Sequence, residues 1–195
     1  PTLKVSKKFP DKTFLHCSGF KQSKNMGNYF GRMYQAKYLA AMIAGGMSKK
    51  GRIGIVGSQP IPEIIRHINA ITLGAQVLNP NVTVEVIWIN SWFDPAKESD
   101  AAQALIDNGA DVIVTMADSP ATVQTSKKNG VYAIGNDTDM AIYGKEAHLT
   151  AAVWNWDVYY LEAVKSVENG TWKAGSHWWG LDSGIVGLTS FHPDV

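Results

Sequence analysis

The chain has 195 residues, 45% hydrophobic and 18% charged, which is long enough for a sizeable core and ordinary for a globular protein. Its formal net charge is +1, and its densest basic groups (Lys7-Lys8, Lys49-Lys50, Lys127-Lys128) hold only two residues each. A nucleic-acid groove needs a concentrated basic stripe, so that class of partner is excluded. The single cysteine, Cys17, allows no intramolecular disulfide and reads as a small hydrophobe in or just after a strand. No apolar run reaches membrane-spanning length; the longest, Tyr38 to Met47, is broken by glycines. The first residues carry no signal-peptide pattern.

In chain order, Thr13 to His16 reads as a short strand ending at Ser18-Gly19-Phe20. Arg32 to Met47 carries Met33, Ala36, Leu39, Ala40 and Ile43 at helical spacing and stops at Gly45-Gly46. Arg52 to Val56 is a buried-type strand, and Ile61 to Leu78 is a helix with Ile64, Ile68, Ile71 and Ala75 on one face. Within it, His67 beside Arg66 reads as part of a solvated face. Val82 to Ile89 is a strand rich in branched and aromatic residues, and Ala96 to Asn108 is a helix entered through Pro95 and closed by Gly109.

Val112 to Thr115 is the next strand, Pro120 to Asn129 a helix closed by Gly130, and Val131 to Ile134 a strand running into Gly135-Asn136-Asp137. His148 to Val153 is a further strand, Val158 to Glu168 a helix, and His177 to Leu188 reads as a hairpin. This βαβα alternation predicts an α/β fold, a mostly parallel sheet with helices on both faces. Ligands of such sheets sit at the carboxyl ends of the strands, so the post-strand loops are the places to look for function.

Those loops are Gly57 to Pro60, Asn90 to Asp94, Met116 to Ser119 and Gly135 to Asp139. They hold two aromatics, several carboxylates and hydroxyls, and no basic side chain. An aromatic plane beside carboxylates suits a flat, donor-bearing solute such as a nucleobase, or a sugar ring. Trp92 either stacks on such a solute or caps the helix–sheet interface. Asp94, just before Pro95, reads as an N-cap. Asp118 is freer for a ligand, since Ser119 can cap in its place. Asp137 and Asp139 form an aspartate pair, but no third carboxylate or histidine lies at ligand spacing, so no metal is expected.

Enzymatic signatures are absent: no GxGxxG after the first strand, no GxxxxGK[ST] loop, no GxSxG elbow and no HExxH pair. The five histidines lie far apart. The expectation is a non-catalytic protein without a cofactor.

The order of motifs resembles the basic membrane protein (BMP) family of substrate-binding lipoproteins. The resemblance runs from GRMYQAKYLAAMIAGG through RIGIVG, SWFDPAKE, LIDNGADVI and IGNDTD to HLTAAVWNWD, VENGTWKAG and GLDSGIVGL, nearly the whole chain. It implies two Rossmann-like α/β/α lobes of a type I periplasmic-binding-protein fold that hands a solute to an ABC transporter permease. It further implies a purine base or nucleoside bound in an interlobe cleft, and a periplasmic or cell-surface location with membrane contact only through a lipid anchor outside this chain. By the same resemblance, residues 1–28 would be the remnant of lobe one, 29–140 lobe two and 141–195 a return segment toward lobe one. Such a fragment would leave apolar surface exposed unless a partner covers it.

Carried over position by position, Trp92 falls in an SFNDP-like turn where relatives commonly have phenylalanine. Asp118 stands in a loop that is usually small and glycine-rich, and Asp137 matches the first aspartate of a GxDxD segment. Trp154 replaces a lysine at an LTSxVK-like strand end, which implies a bare base or another small planar solute; alternatively Trp154 packs with Trp156. Tyr29 is a further ligand-binding candidate at the first crossover, with Phe30 assigned to core. Trp178 and Trp179, adjacent in a strand, point to opposite faces and neither is assigned. Two other classes stay open: the ligand-sensing domain of a regulator or signalling receptor, and a nucleoside hydrolase-type enzyme. Fold alone does not separate them.

Overall fold

The computed structural model describes residues 1–195, and the chain divides into two compact units. The first comprises Pro1–Arg32 and Trp154–Val186; the second comprises Met33–Val153 and Gly187–Val195.

In the first unit, a short helix α1 (Thr2–Ser6) leads to β1 (Phe14–Cys17) and β2 (Met26–Gly31), which pair in parallel. On the far side of β2 lies β8 (Ser176–Trp179), also parallel. Helix α6 (Trp156–Glu168) packs Tyr159 flat against Tyr29 of β2, with ring centroids 4.4 Å apart. Strand β2 was not legible in the sequence. Its segment MGNYFG carries two glycines and no alternation, yet all but one of its residues are buried. Burial on both faces, not a period of two, governs an inner parallel strand.

The second unit holds α2 (Met33–Met47), β3 (Arg52–Gly57), α3 (Pro62–Leu78), β4 (Thr83–Trp88) and α4 (Pro95–Asp107). It continues with β5 (Val112–Thr115), α5 (Ala121–Lys128), β6 (Tyr132–Asp137) and β7 (His148–Trp154). With β9 (Val186–Leu188) they build a six-stranded sheet in the order β4-β3-β5-β6-β7-β9. The pairings from β4 through β7 are parallel.

The strands' side-chain alternation assigns a layer of helices to each face. Ile53, Ile55, Val112, Val114 and Ile134 pack with Ala40, Ala44, Ile71 and Ala75 of α2 and α3. On the other face Val56 and Ile113 pack with Ala101, Ala102 and Leu105 of α4. This is the three-layer α/β/α arrangement that the βαβα pattern predicts.

Two glycines let α2 and α3 meet backbone to backbone. A Cβ on Gly45 would lie 2.2 Å from the Ala75 carbonyl oxygen, and one on Gly74 would lie 2.2 Å from that of Tyr38. The close contact also buries His67, which sequence reasoning placed on a solvated face; it is buried and its pKa is pushed down to about 3, by burial first and then by Lys37 and Arg66.

The expected hairpin from His177 to Leu188 does not form. Its two strands, β8 and β9, belong to different sheets. Between them a 3-10 turn (Leu181–Ser183) and Gly184 at φ +81° redirect the chain. The backbone of β8 is already committed to β2, since the Arg32 N–H donates to the Trp179 carbonyl and the Asn28 N–H to that of Gly175.

Candidate functional site

In the second unit the carboxyl ends of the parallel strands β3 to β6 lie on one edge, and the loops after β3, β4 and β5 are tied to one another. The Ser91 N–H donates to the Ser58 carbonyl (3.2 Å), and the Asp118 N–H to the Trp92 carbonyl (2.9 Å). Asn90, at φ +53°, turns the chain out of β4 into Ser91 and Trp92. The Trp92 side chain is 43% exposed. Asp94 is an N-cap: its carboxylate accepts from the Lys97 backbone N–H, and with the Lys97 ammonium this holds its pKa below the usual range.

Strand β6 extends further than its apolar run. Asn136 and Asp137, expected in a loop, are its last two residues. Asp137 sits at φ +60°, a region open to Asp at modest cost, where the strand turns away from the sheet. Asp139 is spent locally, accepting from the Ala141 backbone N–H.

The largest side chain that sequence reasoning missed is Lys37, in the middle of α2 and only 1% exposed. Its ammonium donates to Oδ1 of Asn136 at 2.5 Å. No carboxylate lies within ion-pair distance of it. Burial pushes its pKa down to about 8, while the fields of Asp137 and Asp118 hold it up. A drop from 10.5 to about 8 disfavours the charged form by about 3 kcal/mol. A readable signal existed. Lys37 follows Met33 by four residues and lies between Ala36 and Ala40, inside the stripe that the helix buries.

Other acids crowd this edge. The Asp118 carboxyl is pushed up by burial, then by Asp137 and Glu98, against a smaller pull from Lys37. Glu63 is pushed up by burial and by Asp137, against Arg66. Glu98 is wholly buried; one of its oxygens accepts from the Asp94 backbone N–H and the other has no protein partner. Ser58 is also fully buried at this edge, with its hydroxyl unpartnered. No group of three or more His, Cys, Asp or Glu side chains is arranged to hold a metal ion. The edge therefore offers acceptors in excess, one planar indole, and an ammonium–amide pair.

Of the five residues singled out from sequence, Trp92, Asp118 and Asp137 share this edge. Tyr29 and Trp154 belong to the first unit, in one aromatic cluster. Tyr29 is buried, its hydroxyl 3.1 Å from that of Tyr160, and its ring meets Trp156 edge-on at 5.5 Å. Burial and the Tyr160 contact push the Tyr29 phenol far above the usual range. Trp154 stacks on Trp156, centroids 4.5 Å apart and planes 13° from parallel, with Phe30 at 5.1 Å. Its six-membered ring also lies against Gly31, where a Cβ would come within 2.4 Å. Trp178 donates from Nε1 to the Gly31 carbonyl and carries the Arg32 guanidinium over its ring, whereas Trp179 meets Tyr159 edge-on.

A family model described as "ABC transporter substrate-binding protein PnrA-like" matches residues 2–194. A purine-binding protein of Brucella abortus is 47% identical over 191 residues, 98% of this chain and 55% of that protein. A Haloferax volcanii protein named as an ABC transporter glucose-binding protein is 40% identical over 195 residues, 100% of this chain and 50% of that protein. The chain thus spans about half the length of these curated relatives.

Among solved structures, a transcriptional activator from Bacillus halodurans superposes with a TM-score of 0.87 at 25% identity, covering 98% of this chain and 67% of that one. An ABC transporter solute-binding protein from Conexibacter woesei does so at 0.79 and 24%, covering 98% and 65%. The fold is that of type I periplasmic binding proteins.

Proposed function

The chain belongs to the PnrA-like family of ABC transporter substrate-binding proteins, and from that premise we propose that it binds a purine base or nucleoside for delivery to an ABC permease. The observation that carries this reading is the carboxyl edge of the second unit. There a half-exposed indole, Trp92, whose backbone carbonyl accepts from the Asp118 N–H, shares the edge with the Asp118 and Asp137 carboxylates, acceptors for ring and exocyclic N–H groups. The indole supplies a stacking plane and the carboxylates supply orientation, which is what a flat, donor-bearing heterocycle requires. The name of the 47%-identical relative supports the same solute class.

The family is one of solute-binding proteins and not an enzyme class, so the reading makes and breaks no bond. Binding and release occur outside the cytoplasm, at the periplasmic face or cell surface, with a lipid anchor beyond these residues as the tether. No helix of the chain is long and apolar enough to cross a membrane. In this reading the bare base binds more tightly than its nucleoside.

A sugar is the second reading, favoured by the 40%-identical relative's name and by the same indole and carboxylates, which suit a pyranose ring. One experiment separates the two. Thermal-shift and calorimetric titration of the chain with adenine, hypoxanthine, adenosine, ribose and glucose should give a purine-selective rise in Tm, through mass-action stabilisation. A rise with glucose alone overturns the purine reading. Trp92→Ala should weaken purine binding about tenfold, the scale of one lost stacking face together with its buried area. Because the side chain is half-exposed, the variant's Tm without solute should stay close to that of the parent.

A further inference from the structure

We propose that Lys37 is a positioning residue that locks the Asn136 amide with its oxygen turned inward, so that the Asn136 N–H donors read a ring-nitrogen or oxo acceptor of the bound base. This deepens the purine reading and rests on it.

An asparagine amide presents a donor on one side and an acceptor on the other, and the two are nearly isosteric. Left alone, it can turn to suit either partner. An ammonium has donors only, so the sole group Asn136 can present to Lys37 is Oδ1, as observed. The amide nitrogen is thereby fixed on the opposite side. It has no acceptor within the protein, yet it is not among the fully enclosed unpartnered atoms, so it keeps contact with solvent although the residue is only 5% exposed.

The next residue, Asp137, is a carboxylate and can only accept. Asn136 therefore puts fixed donors at the end of β6, and Asp137, where the backbone turns away from the sheet at φ +60° and whose charge is felt by both Lys37 and Asp118, adds a carboxylate at the same edge. Their complement is a solute edge with an acceptor beside a donor: a ring nitrogen next to an exocyclic amine, or an oxo group next to a ring N–H.

The lock also favours a heterocycle over a sugar. A hydroxyl both donates and accepts, so a sugar site gains little from an amide that cannot turn. A ring nitrogen or oxo group only accepts, and for such a solute a turned amide would face it with the wrong atom. Holding a lysine charged, fully enclosed and without a direct ion pair disfavours the folded state, and a purely structural role would be served by an apolar side chain of similar length.

The test is calorimetric titration of the whole chain with adenine and hypoxanthine, and with analogues of each in which one ring nitrogen is replaced by C–H (the 1-, 3- and 7-deaza bases). For the parent protein, one of these analogues should bind about tenfold or more weakly than its base, the scale of leaving a buried donor without its acceptor. In Asn136→Asp, which keeps the contact to Lys37 but removes the donors, that ratio should collapse to within about threefold. Lys37→Met, which frees the amide to turn, should shrink the ratio too, with thermal unfolding confirming that both variants fold.

The inference is overturned if every analogue binds the parent protein within about twofold of its base, or if the ratio survives unchanged in both variants. If neither base binds at all, the purine reading itself fails and this inference falls with it.

Discussion

Lys37→Met should abolish a rise in stability that the parent protein shows between about pH 8 and pH 10. Lys37 has a folded-state pKa of about 8 against 10.5 unfolded. Below pH 8 both states hold the proton, so stability has no slope from this group. Between the two values the unfolded chain still holds the proton while the folded chain has released it, so stability rises with pH, at roughly 1.4 kcal/mol per unit. The stability of the parent minus that of the variant should therefore climb by about 3 kcal/mol across the window and then level off.

Taking the difference between the two proteins matters above pH 10. Tyr159, pushed up to about 12 by burial, and Tyr29, pushed higher still, stay protonated in the folded state after the unfolded chain has released theirs. That erodes stability in both proteins alike and cancels in the subtraction. Urea denaturation at pH 7, 8, 9 and 10 measures it. Parallel curves for parent and variant would show that Lys37 is not enclosed as a charged group.

Gly74→Ala should lower the stability of the second unit by about 3 kcal/mol, a fall of roughly 6–12 °C in Tm. The added Cβ would lie 2.2 Å from the Tyr38 carbonyl oxygen and 3.2 Å from the Ala41 side chain, so α2 and α3 must separate. Backbone cannot swing aside as a flexible side chain can. Alanine's better helix propensity offsets only about 1 kcal/mol of this. Gly46→Ala is the internal control, one residue beyond the matching glycine on α2. Its Cβ would meet only the exposed Leu78 side chain, with Cδ1 at 3.2 Å and Cβ at an ordinary 3.9 Å, so the propensity gain should dominate and the Tm should rise slightly. Thermal unfolding of both variants decides the matter, and equal shifts in the same direction would refute the close-packing argument.

The same helix pair explains why the sequence misled at particular positions. The stripe inferred for α2 included Leu39, which is exposed, and omitted Lys37, which is buried. Helical spacing gives a period, but the phase of the buried face follows the neighbour, and here Gly45 and Gly74 bring α3 so close that Ala40, Ala41 and Ala44 form the seam. His67 is buried for the same reason.

What the sequence determined by itself is the alternation of strands and helices in the second unit and the position of the post-strand loops at the carboxyl edge of its sheet. Val112 to Thr115 is placed to the residue, and the other strands and helices of that unit to within a few, because apolar runs bounded by Gly, Pro and capping residues are local signals. The N-cap at Asp94 is equally local and equally legible. Trp92 and Asp118 could be singled out because a parallel sheet presents its carboxyl-end loops to solutes.

Tertiary structure alone decided the rest. Strand β8 pairs with β2, 148 residues earlier (Asn28 with Ser176), and not with β9, which begins seven residues after β8 ends, because parallel partners are chosen by side-chain burial across the sheet and not by proximity along the chain. The Lys37–Asn136 bond joins residues 99 apart in sequence. Neither side chain announces the other, and only the packing of α2 over the end of β6 makes an enclosed ammonium and a fixed amide out of two ordinary polar residues.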